Sequence, residues 1–134
     1  MACANPTKDP PVKLLLAEHI EELKRNGFWC AEVCDGFDPW PVVKLFTPDA
    51  NCTWLITAID PDDEDILWGL CDLGLGFAEY GTVRLSEITG LRGKLGLPVE
   101  RDLHFKATAP ISAYIDVSYP AGRIITNLPA ANAS

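Results

Sequence analysis

Apolar residues recur with two different periods along this chain, and the change of period separates a helical opening from a β-rich middle. Over residues 13–26, Leu15, Leu16, His19, Ile20 and Leu23 fall at the i, i+3, i+4 spacing of one helix face. Glu18, Glu21, Glu22, Lys24 and Arg25 take the opposite face, and Asn26-Gly27 follows as a C-terminal stop. From Val42 the spacing shortens. Residues 42–46 form a short apolar strand. Residues 53–59 alternate, with Trp54, Ile56 and Ala58 on one face and Thr53, Leu55, Thr57 and Ile59 on the other. The polar turn 60–65 leads into a partner strand over 66–73, and Gly74-Leu75-Gly76 turns the chain into a strand over 77–84. Short strands joined by tight turns predict an α+β fold: an antiparallel meander with the N-terminal helix packed on one face.

The flanks are less regular. Residues 27–41 combine Gly36, Pro39 and Pro41 with Phe28, Trp29, Phe37 and Trp40, the composition of a loop packed on its domain rather than a free tether. Ser86-Glu87-Ile88 starts a short helix stopped by Gly90; Gly93, Gly96 and Pro98 then interrupt an apolar segment, and 103–106 adds a short strand. Residues 111–119 suit either a strand or a helix. A flexible lead-in over 1–12 and a loosely ordered tail over 120–134 complete a single domain.

Composition narrows the function. With 48% hydrophobic and 22% charged residues in 134, the chain has material for a core without disulfide or metal support. The net charge of −8, with Lys and Arg scattered, opposes direct nucleic-acid binding. No apolar run reaches the ~20 residues of a membrane-spanning helix, and the first residues lack a secretory pattern, so no membrane role and a cytoplasmic location are expected. Five cysteines (Cys3, Cys30, Cys34, Cys52, Cys71) at irregular spacing read as reduced thiols.

Three blocks carry a family resemblance. The first runs from Val43-Lys44-Leu45-Phe46-Thr47-Pro48 through Thr53-Trp54 to Asp60-Pro61-Asp62-Asp63. The second is Leu67-Trp68-Gly69-Leu70 with Glu79-Tyr80-Gly81, and the third is Leu91-Arg92-Gly93-Lys94-Leu95-Gly96-Leu97-Pro98-Val99-Glu100-Arg101-Asp102-Leu103-His104-Phe105. Over about residues 42–106 the chain resembles a bacterial family of small proteins of unknown function, carried largely on plasmids and other mobile elements. The resemblance implies a mobile-element setting and assigns no catalytic mechanism.

Glu100, Asp102 and His104 are the sharpest candidate site. In an extended segment they share one face, and a carboxylate beside an imidazole can orient a general base or hold a metal. The competing reading is an ion-pair and capping cluster in which a carboxylate pairs with Arg92 or Arg101 and pins the glycine-rich loop 92–98. The acidic run 60–65 lacks the glycine and closing glutamate of an EF-hand, so it reads as a solvated turn. Cys30 and Cys34 form one loose pair where structural zinc usually takes two tight ones. Gly74-x-Gly76 and Gly90-x-x-Gly93-x-x-Gly96 read as turns rather than phosphate loops. Neither a metal nor a cofactor is expected. Trp54 and Trp68 are assigned to the core, whereas Trp29, Phe37 and Trp40 are the candidate partner-binding residues. These features favour a non-enzymatic protein-binding accessory factor of a mobile element, one that counteracts a host defence system. The alternative is a small hydrolase-like enzyme built on residues 100–104.

Overall fold

A computed structural model of the protein describes residues 14–32 and 37–128. Helix α1 (Ala17–Glu32) precedes strands β1 (Val43–Phe46), β2 (Thr53–Asp60), β3 (Asp63–Asp72) and β4 (Ala78–Arg84). Helix α2 (Leu85–Gly90), the two-residue strand β5 (Glu100–Arg101) and helix α3 (Ile111–Ala121) complete the order. All pairings are antiparallel, and the five strands lie in the order β4-β3-β2-β1-β5. The expected α+β meander with its N-terminal helix on one face is therefore present. The lead-in 1–12, Cys3, Cys34, Gly36 and the last part of the tail, 129–134, lie outside the described residues.

The sheet separates two cores. On one face, Leu15 and Leu23 pack with Val43, Leu45, Trp54, Ile56 and Leu67, closed by Ile88 of α2 and Val99. On the other face, Leu55 and Leu70 pack with Ala78 and with Ile111 and Tyr114 of α3. Residues 111–119, ambiguous in sequence, thus belong to a helix. It ends at Gly122, whose φ of 73° supplies the left-handed cap. Past it, Ile124 and Leu128 pack against the second core. Between the helices, β2 is buried on both sides, from Trp54 to Ile59.

A bulge in β2 shifts the register between Ile56 and Ala58, so the alternation read from sequence reverses there. Ile59 joins Trp54 and Ile56 in the α1 core instead of facing away. Thr57, fully buried, fills the bulge: its hydroxyl donates to the Trp68 carbonyl at 3.1 Å and bonds the Tyr80 hydroxyl at 2.8 Å. Its carbonyl accepts from Asn26 Nδ2 at 2.9 Å.

That contact corrects the expected helix stop. Asn26-Gly27 lies inside α1, which continues to Glu32 and takes up part of the expected 27–41 loop. Gly27 lies against the β2 backbone so closely that a Cβ there would sit 1.7 Å from the Ile59 carbonyl oxygen. The pair is a docking point, not a terminus. At the other end of α1, His19 Nδ1 accepts the Leu16 amide at 3.1 Å, closing the first turn as the return half of a capping box. Partial burial, with the charge of Arg101, lowers the His19 pKa and keeps the ring in its accepting form.

The acidic run 60–65 holds the β2–β3 turn and the start of α2. Asp60 Oδ1 accepts the Asp62 amide at 2.8 Å, and Asp63 Oδ1 accepts the Asp65 amide at 3.0 Å. Arg84 Nη1 lies 3.4 Å from Asp63 Oδ2 and 3.5 Å from Asp65 Oδ2. Arg84, the residue before α2, provides no side-chain cap, and Asp65 supplies one across the sheet. It accepts the Ser86 hydroxyl at 2.7 Å and the Ser86 amide at 2.9 Å. The Ser86 hydroxyl leads the causes that lower the Asp65 pKa, with Arg84 adding to it. A carboxyl with a depressed folded-state pKa contributes stability above its unfolded pKa and loses it as pH falls through the folded one. Asp65→Asn is expected to be less stable than wild type at neutral pH, with the difference vanishing in acid below the ordinary carboxylate range. Urea titrations across that range measure it; a difference that persists in acid contradicts the capping role.

Candidate functional site

Residues 100–104 form the free edge beside β1. Leu45 pairs with Arg101 and Phe46 with Glu100, and the Asp102 amide donates to the Lys44 carbonyl at 2.9 Å. Glu100 and Asp102 accordingly face away from Arg101, as alternation predicts. The pattern ends there. Leu103-His104 is a turn instead of the start of a strand over 103–106, and Asp102 Oδ1 accepts the His104 amide at 2.9 Å. Asp102 Oδ2 pairs with Lys44 Nζ at 3.4 Å. Partial burial would raise the Asp102 pKa, but the His104 amide and the Lys44 ammonium outweigh it and hold the carboxyl below its ordinary value.

The His104 imidazole is exposed, and no hydrogen bond or ion pair among the described residues joins it to Asp102. Glu100, Asp102 and His104 do line one small cavity of about 280 Å³ with Phe46 and Leu103. The arrangement turns the chain and pairs a charge; it does not aim a carboxylate at an imidazole.

The tether expected for residues 92–98 exists, but through another residue. Arg92 Nη1 donates to the Thr89 and Leu91 carbonyls at 3.0 and 2.8 Å. Asp102 pairs with Lys44 rather than with Arg92. The anchor is Asp49, in the β1–β2 connection. Its Oδ2 accepts the Leu95 amide at 2.7 Å and the Leu97 amide at 3.2 Å. Gly93 lies against the same carboxylate, where a Cβ would come 1.6 Å from Oδ1.

Of the three partner-binding candidates, Phe37 reaches a different cavity. Phe37 lines an apolar recess of about 330 Å³ with Cys30, Pro39, Trp68, Tyr80 and Ile115. Trp68 stacks on Tyr80 with centroids 6.4 Å apart. The segment 37–40 is clamped to the start of α3: the Ile111 amide donates to the Pro39 carbonyl at 2.8 Å, and Asp38 accepts the Ser112 amide at 3.0 Å and the Ser112 hydroxyl. Trp29, edge-on to Phe28, is 45% exposed, and Trp40 is 49% exposed. Each is the chain neighbour of a recess residue, Cys30 and Pro39.

Trp68 and Tyr80 were not among the expected surface residues. Trp68 is 37% exposed, whereas Trp54 is 2% exposed, so only Trp54 is core. The register pairs Trp54 with Cys71 and Trp68 with Ala58, which places the two indoles on opposite faces. Burial pushes the Cys71 thiol up to about 11, and the Cys52 and Tyr80 pKa values are also raised by burial. Cys52 and Cys71 are free thiols, and the described residues contain no group of three or more His, Cys, Asp or Glu side chains arranged to hold a metal. No helix among them is long and apolar enough to cross a membrane.

No curated protein and no solved structure matches the chain. A family model described as protein of unknown function (DUF2958) matches residues 14–125, from the segment leading into α1 to the turn beyond α3. The match takes in both cores, the Asp49 anchor, the 100–104 edge and the recess. The chain belongs to the DUF2958 family.

Proposed function

We propose that this protein is a non-enzymatic binding factor that docks a protein partner through Trp29, Phe37 and Trp40, together with Trp68 and the apolar recess that Phe37 and Trp68 line. The observation carrying this reading is that Trp29, Trp40 and Trp68 each keep more than a third of their surface in water although both cores are filled. Aromatic side chains around an apolar recess are the usual anchors of a protein interface. The net charge of −8 favours a partner with a basic rim. The family resemblance supports placing the protein on a mobile element, as an accessory factor that counteracts a host defence system. The cytoplasm is the compartment in which such a partner would be met.

Affinity capture from the protein's own host tests this reading, with Trp29→Ser and Trp40→Ser beside wild type. The partner is expected to be retained by wild type and lost, by roughly tenfold or more in affinity, from each variant. Melting temperatures should fall far less than for a core substitution, because about half of each indole is exposed. Retention by both variants would remove this surface from the interaction.

A further inference from the structure

One cavity takes no part in that reading. It is a cleft of about 640 Å³ between the ends of β1 and β2, the β3–β4 turn and the residues after α3. Its two carboxylates are already engaged. Asp72, 7% exposed, accepts the Gly74 amide at 2.9 Å through Oδ1 and the Ile124 amide at 3.0 Å through Oδ2. Asp102 accepts the His104 amide and pairs with Lys44.

The donors are not. Lys44 spends one long contact on Asp102, which holds its ammonium at the cleft wall. Among the described residues no hydrogen bond or ion pair engages the side chains of Arg123, Asn51 or Thr53, all of which line the cleft. Half-buried Phe46 gives the same cleft an apolar wall. A concave site whose carboxylates are engaged, with the idle Arg123 guanidinium and a Lys44 ammonium that has donors to spare, favours a ligand rich in acceptors around a small carbon body.

We infer that this cleft binds a small organic anion, with carboxylate or phosphate oxygens held by Arg123 and Lys44 and hydrogen-bonded by Asn51 and Thr53. Guanidinium–oxyanion contacts are the stronger class of hydrogen bond, so Arg123 carries most of the recognition.

Isothermal titration at low salt with citrate, glycerol 3-phosphate and glycerol tests the inference. One or both anions should bind and neutral glycerol should not; which anion binds distinguishes carboxylate from phosphate recognition. Arg123→Gln should weaken binding roughly ten- to hundredfold. Its melting temperature should not change, since Arg123 is exposed and its side chain has no hydrogen bond or ion pair among the described residues to lose. Lys94→Gln, which removes an exposed charge outside the cleft, should leave binding as in wild type. Absence of binding by both anions up to about 10 mM, a regime of little specific recognition, would overturn the inference. Equal weakening by Arg123→Gln and Lys94→Gln would overturn it too, because only diffuse charge would then be at work. Neither variant touches Trp29, Phe37 or Trp40, so this test can fail while partner capture stands.

Discussion

Gly27→Ala is expected to destabilise the protein by about 3 kcal/mol or more, a large share of the roughly 5–15 kcal/mol typical of a domain. Helix propensity argues the other way: alanine inside a helix gains about 1 kcal/mol over glycine. Contact geometry decides the sign. The added Cβ would lie 1.7 Å from the Ile59 carbonyl oxygen and 2.9 Å from its carbon, and both are strand backbone that no rotamer change can move aside. Helix α1 would have to lift from β2. Overpacking of this kind costs about 1–3 kcal/mol. Lifting the helix also breaks the Asn26–Thr57 bond, worth about 1 kcal/mol and more once the bulge carbonyl is left buried without a partner. Chemical denaturation measures the effect. Stabilisation by Gly27→Ala would mean that α1 does not rest on the bulge.

Asp49→Ala is expected to cost about 2–3 kcal/mol and to release residues 93–97 locally. Two backbone amides donate to one carboxylate oxygen, and such charge-assisted bonds are worth about 1.5–3 kcal/mol each when their partner is removed. An opposing effect keeps the net below their sum. The other oxygen, Oδ1, is buried without a hydrogen bond, and the substitution removes that unfavourable group as well. Asp49→Asn retains an acceptor and should lose less. Thermal melts give the stability change, and amide exchange at Leu95 and Leu97 shows where the protection is lost. Unchanged exchange at both amides would assign the anchoring of this loop to another contact.

Periodicity made the sheet legible because β1, β2, β3 and β4 each place residues in a core, and the acidic run marked its turn through short polar side chains. The same reasoning missed features that depend on contacts distant in sequence. Gly27 looked like a stop because glycine usually ends helices; its role follows from Ile59, which no local pattern brings near it. The bulge at Thr57 is invisible to alternation and moves Ile59 to the α1 face. Trp54 and Trp68 looked alike as apolar residues of neighbouring strands, and only the register separates a buried indole from an exposed one. For residues 92–98, Gly93 and Gly96, with Gly90 just before them, correctly signalled a loop in need of an external tether. A carboxylate of 100–102 paired with Arg92 or Arg101 was the nearer choice in sequence; the contact that holds the loop amides comes from Asp49, more than forty residues upstream of them. Residues 100–104 were legible as a cluster around one small cavity, but the backbone turns after Asp102, and the bond that joins it to His104 runs to the His104 amide.

The two edges of the sheet bear on how any partner could approach. At one edge β5 is only two residues long and runs directly into the Leu103-His104 turn. At the other, the Tyr80 amide of β4 points away from β3 and donates to the Tyr119 hydroxyl of α3 at 3.1 Å, so a side chain occupies a position that an incoming strand would need. Short edges and covered amides are what keep sheets from being extended by foreign chains. Another protein would therefore read this one through its side chains and hollows, not by continuing its sheet, and the same two edges guard the protein against self-assembly into fibres.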